Sequence, residues 1–367
     1  MEELTMQESL VDAPRVSVLM TAYNASRFIA EALDDLLAQT FTDFELLIVD
    51  DGSTDDTLSI LHTYASRDPR VIVIASEKNI GRPAASNLGL EQCRAPLIAR
   101  ADADDRYPAD RLERQVRFFD EHPEIGILSG AADQIDEEGK FWNRLHFPGK
   151  DGQIRMRELF ITSFTHPGSM FRTELIRAVG GYDVTYYTSA DADLWARMRP
   201  LTRSANLDVP LVYYRKHSAA SMFKRDAKQL ARSLGIRKRL LSDYLQREVS
   251  LEEAGAMQMT FRERPVPPAT QEQLEAGMRG LREVLRQAET RESADTVRYF
   301  KDEVGKALMQ HASFNNDISY SLRWKLLKEA YRWAPAVASS WVTAKLKRIP
   351  AKIALRAKRG RSHTATR

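Results

Sequence analysis

The sequence predicts an α/β fold: a mostly parallel, doubly wound sheet flanked by helices, followed by an all-helical C-terminal appendage. Two observations carry this. From Val16 to Ala101 the chain alternates short, β-branched apolar runs with stretches of helical period, and after Ser221 long charged stretches with apolar residues at helical spacing take over. Strand, helix, strand, helix with short links specifies a parallel sheet.

Val16, Val18 and Met20 in RVSVLMT form the first strand. In ASRFIAEALDDLLAQ, Ile29, Leu33, Leu36 and Leu37 fall at i, i+4, i+7 and i+8, which is one face of a helix. FELLIVD, Phe44 to Asp50, is apolar almost throughout, as a strand buried on both faces is. Leu58, Leu61, Tyr64 and Ala65 mark the next helix in DDTLSILHTYAS, with Asp55 and Asp56 at its start, where acids suit the helix dipole. VIVIA, Val71 to Ala75, and PLIARA, Pro96 to Ala101, read as the third and fourth strands, with Gly81 and Pro83 opening a helix between them. Beyond Ser221, KQLARSLGIRKRLLSDYLQ and EQLEAGMRGLREVLRQAE are helical, separated by a Pro-rich linker, RERPVPPAT. The expected organisation is an N-terminal extension over 1–14, a sheet domain over 15–221, a helical region over 222–344 and a basic tail over 345–367.

At 367 residues, with 54 Lys plus Arg against 51 Asp plus Glu, net charge names no partner. Its distribution does: no acid follows Glu329, while Lys345, Lys347, Arg348, Lys352, Arg356, Lys358, Arg359, Arg361 and Arg367 do. These cations beside Trp333 and Trp341 fit the interface of an anionic membrane, at roughly 1 kcal/mol per cation. No nucleic-acid-binding fold precedes the tail, so RNA is not the expected partner. The uncharged run from Trp333 to Ala344 falls short of the roughly 20 residues that a spanning helix needs. The single cysteine, Cys93, excludes an internal disulfide framework, and MEELTMQESLVDAP resembles no signal peptide. The expected location is the cytoplasm, with peripheral contact on the inner face of the plasma membrane.

Ligands of open α/β sheets bind outside the carboxyl ends of the strands. TAYN (Thr21 to Asn24), DDGSTDD (Asp50 to Asp56) and DADD (Asp102 to Asp105) all sit just past such ends. Crowded carboxylates raise one another's pKa unless a cation or N–H donors neutralise them, so DADD is a solvated turn or a metal site. No G-x-G-x-x-G follows the first strand, which argues against a nicotinamide dehydrogenase, and DADD lacks the Gly and Glu of an EF-hand.

VSVLMTAYNASRFIAEALDDLLAQTFTDFELLIVDDGSTDDT, then NIGRPAASNLGL, RADADDRYPADRL, HPGSMFRTELIRAVGGYD, ADADLW and YYRKH resemble, in order and spacing, a family 2 glycosyltransferase of the GT-A (Rossmann-like) fold. The resemblance covers Arg15 to Ser221. It implies an inverting, non-processive enzyme that binds a nucleotide-sugar, holds its diphosphate through Mg²⁺ or Mn²⁺, and transfers one sugar to a saccharide or lipid-linked acceptor. By similarity Asp104 is the direct metal ligand, Asp102 reaches the metal or the ribose, and His217 is a third ligand. Asp105 supports them from behind or caps a helix ahead of Pro108. The resemblance places Thr21, Tyr23, Asn24 and Asp51 at the nucleotide. Tyr23 would stack on the base and Asp51 accept a ring N–H, which favours uridine or thymidine donors. Arg82 would reach a phosphate or the base, and Asn87 face the diphosphate. Ser86 stands where many relatives carry Arg, a contact for which Arg82 is the available substitute.

In SADADLWARM, Asp191 takes the position of the catalytic base, although Ala190 precedes it where Glu is usual. Asp193 orients that helix or binds acceptor, and Trp195 is core more readily than sugar platform. His166 shapes the acceptor loop or packs, while Gly180, Gly181 and Tyr182 suit a tight turn over the donor sugar. The processive Q-x-x-R-W signature is not found after Asp191, since SLRWK lacks the Gln. TAYNAS offers none of the Gly-rich, basic loop of a nucleotidyltransferase. The non-enzyme alternative is an inactive member that binds glycan or nucleotide-sugar as a scaffold; Asp51, Asp104 and Asp191 together argue against it.

Overall fold

The computed structural model describes residues 13–217, 227–263, 268–341 and 343. Most of the N-terminal extension, part of the Pro-rich linker and the basic tail therefore lie outside the described residues. The chain divides into two compact units, one running to Glu158 and over Thr162–Ile236, the other comprising Leu159–Ile161 and the chain from Arg237.

The first unit is built on β1 (Val16–Ala22), α1 (Ile29–Leu37), β2 (Phe44–Asp50), α2 (Thr57–Ala65), β3 (Val71–Ala75), α3 (Arg82–Gln92), β4 (Leu97–Asp102), α4 (Arg111–Glu121), β5 (Ile125–Ile135), β6 (Phe141–Leu145), α5 (Asp151–Glu158), β7 (Met170–Arg172), α6 (Thr173–Ala178), α7 (Ala190–Met198) and β8 (Arg203–Arg215). The strands form one eight-stranded sheet in the order β3-β2-β1-β4-β7-β5-β6, with β8 paired to β5. β1, β2, β3 and β4 pair in parallel; β7 and β6 join antiparallel. The sheet is thus mixed and mostly parallel, as the alternation of apolar runs and helical periods predicts.

Burial on both faces explains why those runs are apolar. Val16, Val18 and Met20 face a layer with Ile29, Leu33 and Leu36 of α1 and Leu112 and Val116 of α4. Leu19, Leu47, Val49 and Ile98 face the opposite layer, with Ala85 of α3 and Leu194, Trp195 and Met198 of α7. Register then positions the site: Ala22 pairs with Asp50 and Thr21 with Asp102, so β1, β2 and β4 end level at one edge.

The second unit is helical: after α8 (Ala227–Leu245), which begins in the first unit, come α9 (Leu251–Phe261), α10 (Gln271–Arg291), α11 (Ala294–Phe314) and α12 (Tyr320–Trp333). From α9 on, each starts at a hydroxyl: Ser250, Thr270, Ser293 and Ser319 accept from the backbone N–H three residues later. Phe160, Phe261 and Phe300 stack in its core, with Phe160 and Phe261 centroids 4.4 Å apart. Among the described residues no helix is long and apolar enough to cross a membrane.

Candidate active site

The level strand ends present three loops whose side chains lock one another. After β1, Asn24 adopts φ 50° and its Oδ1 accepts Thr54 N–H at 2.8 Å, while its own N–H donates to Ser53 Oγ at 3.0 Å. Asp50 Oδ2 accepts Ser53 N–H at 3.0 Å, and Asp50 Oδ1 is buried with no partner. Gly52 closes the turn at φ 70°, where an added Cβ would stand 2.5 Å from the Lys78 carbonyl carbon. Tyr23 is 49% exposed beside these loops, free to stack on a flat ligand.

Asp51 is 3% exposed and fastens a further loop, its Oδ1 accepting Ile80 N–H at 2.7 Å and its Oδ2 Gly81 N–H at 3.0 Å. Burial raises its pKa, against those two hydrogen bonds. That loop leads into Arg82, the first residue of α3. The Arg82 guanidinium lies in the field of Asp102, Asp104 and Asp191, which hold its pKa up against the cost of desolvation. One cation thus feels the charge of carboxylates from β4, the turn after it and the start of α7. Ser86, one turn further along α3, is 1% exposed and offers no surface hydroxyl.

Asp102, Asp104 and Asp105 can each offer a carboxylate oxygen such that all three lie within 4.8 Å of one another. The turn is anchored from below, because the Tyr107 hydroxyl accepts Asp102 N–H at 2.6 Å and donates to Asp102 O at 2.8 Å. Burial alone would raise the Asp102 pKa; the charges of Arg82, Arg100 and Arg111 outweigh it and hold the carboxyl below its ordinary value. Asp104 is the exposed member, its side chain 40% accessible, and its Oδ2 stands 2.9 Å from His217 Nε2. Asp105 is 2% exposed, with Oδ1 accepting Arg215 N–H at 2.8 Å and Oδ2 left without a partner. Burial, then the charges of Asp104 and Asp102, push its pKa well up. Asp105 caps no helix, since α4 begins only at Arg111; its role is to receive the strand that delivers His217. The carboxylates, one of them with an orphaned buried oxygen, suit a hard divalent cation, with the His217 imidazole as a softer neighbour.

On the second half of the site, Asp191 lies in the first turn of α7, where unpaired backbone N–H groups favour a carboxylate. Asp193 is 1% exposed and accepts from Arg197 Nε at 2.7 Å; Arg197 also donates to Val179 O at 2.6 Å and Gly181 O at 2.8 Å. That ion pair therefore orients α7 and holds the glycine turn. Asn87 grips the same turn, with Nδ2 donating to Tyr182 O and Oδ1 accepting Tyr182 N–H, both at 2.8 Å. Its amide faces the Tyr182 backbone, so the expectation of an Asn87 turned to the diphosphate is corrected to a clamp. Gly181 has to be glycine here: φ is 73° and a Cβ would meet Asn87 Oδ1 at 2.6 Å.

Trp195 is core, 1% exposed against Phe164, Phe171 and His166, although its Nε1 has no partner. His166 Nε2 stands 2.9 Å from the Tyr182 hydroxyl, and burial, then the charge of Arg100, lower its pKa to about 3, so the ring is neutral. Sequence reasoning overlooked Arg100. It is fully buried in β4, its three side-chain nitrogens lack hydrogen-bond partners, and Nη2 stands 3.7 Å from Asp102 Oδ1. A charged residue inside PLIARA was the available signal.

The model of the family described as glycosyl transferase family 2 matches residues 17–180. EpsE of Bacillus subtilis is 33% identical over 216 residues, 58% of this chain and 76% of that protein. The amylovoran biosynthesis glycosyltransferase AmsE of Erwinia amylovora is 32% identical over 50% of this chain and 70% of its own. The O-antigen biosynthesis glycosyltransferase WbnJ of Escherichia coli is 31% identical, with 56% and 81% covered. Among solved structures, S. aureus TarS 1-349 in complex with UDP matches at a TM-score of 0.53 and 17% identity, over 90% of this chain and 92% of that one. The chain belongs to glycosyl transferase family 2, with the GT-A fold. It is accordingly a glycosyltransferase.

Proposed function

We propose that this enzyme moves one hexose-type sugar, with inversion, from a UDP- or dTDP-sugar to a hydroxyl of a saccharide or lipid-linked acceptor, in building a cell-surface polysaccharide. The observation that carries this reading is the convergence of Asp102, Asp104 and Asp105 at the level strand ends, with Arg82 in the electrostatic field of Asp102, Asp104 and Asp191. Inverting transfer requires a base on the acceptor side and positive charge on the leaving-group side. Asp191 supplies the base and Arg82 part of the charge.

In this mechanism the Asp191 carboxylate takes the acceptor hydroxyl proton as that oxygen bonds to the anomeric carbon. The bond from the anomeric carbon to the diphosphate oxygen breaks, and its electron pair leaves with the nucleoside diphosphate. Arg82 faces the developing charge. Asp104, Asp102 and His217 hold Mg²⁺ or Mn²⁺, which when bound supplies further positive charge beside the diphosphate. Tyr23 stacks on the base, with Thr21 and Asn24 shaping its cleft. Each Asp51 oxygen already accepts one N–H and keeps a second lone pair, which suits the ring N–H of uracil or thymine. The relatives' names support the polysaccharide setting, and a UDP-GlcNAc complex of TarS supports the donor class.

Calorimetric titration with UDP, dTDP, GDP and their sugar derivatives, in Mn²⁺ and then in EDTA, tests this. Uridine or thymidine nucleotides should bind only with metal, and Asp104→Ala should abolish that binding. Binding that survives EDTA would remove the metal from the mechanism, and preference for GDP would overturn the role of Asp51. No nucleotide binding at all would return the chain to the scaffold reading.

A further inference from the structure

The two sides of α12 are chemically opposite. Leu322, Leu326, Ala330 and Trp333 are buried. Trp333 is 8% exposed, its Nε1 donates to Glu329 Oε2 at 3.1 Å, and its ring lies 6.1 Å from Phe300. The tryptophan that the sequence assigns to a membrane interface is therefore core. On the other side Tyr320, Trp324 and Tyr331 are 72%, 51% and 60% exposed. Spacings of four and seven residues bring them into one row, which half-buried Leu327 continues. The Tyr320 and Trp324 rings meet edge to face, 6.2 Å apart at 77°. Scattered surface aromatics need no explanation, but a contiguous row on one helix marks an interaction surface.

Charge identifies the partner. Lys325, Lys328 and Arg332 are exposed and flank the row. Glu329, the acid of this helix, is engaged by Arg282 at 2.9 Å and by Trp333. The sequence beyond Thr343 adds nine Lys and Arg and no acid. A second copy docking antiparallel on this face would bring cationic flank against cationic flank. We propose that the α12 face docks on an anionic lipid surface. Tyr320, Trp324 and Tyr331 enter the headgroup region, where amphipathic rings settle, and Lys325, Lys328 and Arg332 pair with lipid phosphates. This surface is independent of the donor assignment above, so either can fail alone.

The test is sedimentation of the full chain with vesicles of phosphatidylcholine alone or mixed with phosphatidylglycerol, at low and high salt. Wild type should bind the mixed vesicles at low salt and release at high salt. The combined Tyr320→Ser, Trp324→Ser, Tyr331→Ser variant should lose about tenfold or more in vesicle affinity, with melting temperature and nucleotide binding unchanged. The blue shift of tryptophan emission on mixed vesicles should be diminished in Trp324→Phe. Vesicle binding by the triple variant equal to wild type would leave the basic tail acting alone and overturn the assignment of this face. So would binding of neither vesicle by wild type, and so would self-association that the triple variant dissolves, which would make the face a contact between copies.

Discussion

The two units bury charged and neutral polar groups in different proportions. In the sheet unit Arg100, Arg111, Asp51, Asp105, Asp193 and Arg215 are all 3% exposed or less. In the helical unit the described buried charge is Arg237, at 5%, while Gln258, His311 and Asn315 are buried and each bonds a backbone carbonyl: Phe160 O, Met259 O and Ala269 O. Neutral groups that meet a carbonyl stabilise a core at little cost, whereas a buried charge is expensive unless paired. Where a fold carries many buried charges at one edge, and leaves the Arg100 nitrogens and Asp105 Oδ2 without hydrogen bonds there, electrostatics serves something other than stability. The contrast separates residues that hold the protein together from residues that act.

The largest effect should come from Asp191→Asn. In the proposed role of general base, Asp191 would supply about 10²–10⁴-fold in rate. The amide keeps the shape of the first turn of α7 and cannot take a proton at neutral pH. Transfer measured by product release should fall by about that factor while calorimetry shows nucleotide affinity near wild type. If both fell together, Asp191 would belong with the residues that hold the edge together, and the contrast between units would lose its catalytic half.

Phe300→Ala probes the other side. Phe300 is 1% exposed and its ring stands within 6.2 Å of three aromatic neighbours, Phe160, Phe261 and Trp333. Truncating such a ring costs about 3–5 kcal/mol. Chemical denaturation should show that loss. Below the transition, metal-dependent nucleotide binding should persist, and its disappearance would show that the helical core acts on the donor site.

Arg100→Met is the sharpest test of the rule itself. Methionine fills a comparable volume without charge, and Arg82 and Arg111 remain to neutralise Asp102. Removing a buried cation whose nitrogens lack hydrogen bonds should leave the melting temperature unchanged or raise it, a relief of about 1–3 kcal/mol. Nucleotide affinity in Mn²⁺ should fall at the same time. A lower melting temperature with unchanged nucleotide affinity would make Arg100 an ordinary structural residue.

How much of this was legible depends on the range of each interaction. FELLIVD coincides with β2 because burial on both faces imposes a local pattern, while VIVIA coincides with β3, the partly buried edge strand, through its β-branched residues. DADD and TAYN stood out because strand ends in a parallel sheet converge. What stayed hidden joins residues far apart in sequence. Asp51 to Ile80, Asn87 to Tyr182 and Asp105 to Arg215 are separated by 29, 95 and 110 positions. Such bonds leave no period, so Asn87 read as a ligand contact and Asp105 as a possible helix cap. Trp333 and Trp324 show the same limit inside one helix. Both sit among Lys and Arg in sequence, but Trp333 continues the apolar stripe of Leu322, Leu326 and Ala330 and packs on Phe300, while Trp324 lies off that stripe.

The smallest effect has a definite pH signature. Asp55 is exposed, and its carboxylate accepts Ser26 N–H at 3.1 Å and Thr57 N–H at 3.0 Å, tying the loop after β1 to the start of α2. Desolvation would raise its pKa, but hydrogen bonds from the Ser26 and Thr57 side chains, then from their backbone N–H groups, outweigh it and lower the pKa from 3.8 to about 2. A carboxyl whose folded pKa is depressed contributes stability above its unfolded pKa and loses it as pH falls through the folded one. Wild type should therefore melt slightly above Asp55→Ala at neutral pH, and the gap should close between about pH 4 and pH 2. The gap is small because water competes for an exposed carboxylate. A gap that persisted unchanged at pH 2 would mean that Asp55 holds the loop through hydrogen bonds that its uncharged carboxyl also makes, and not through its charge.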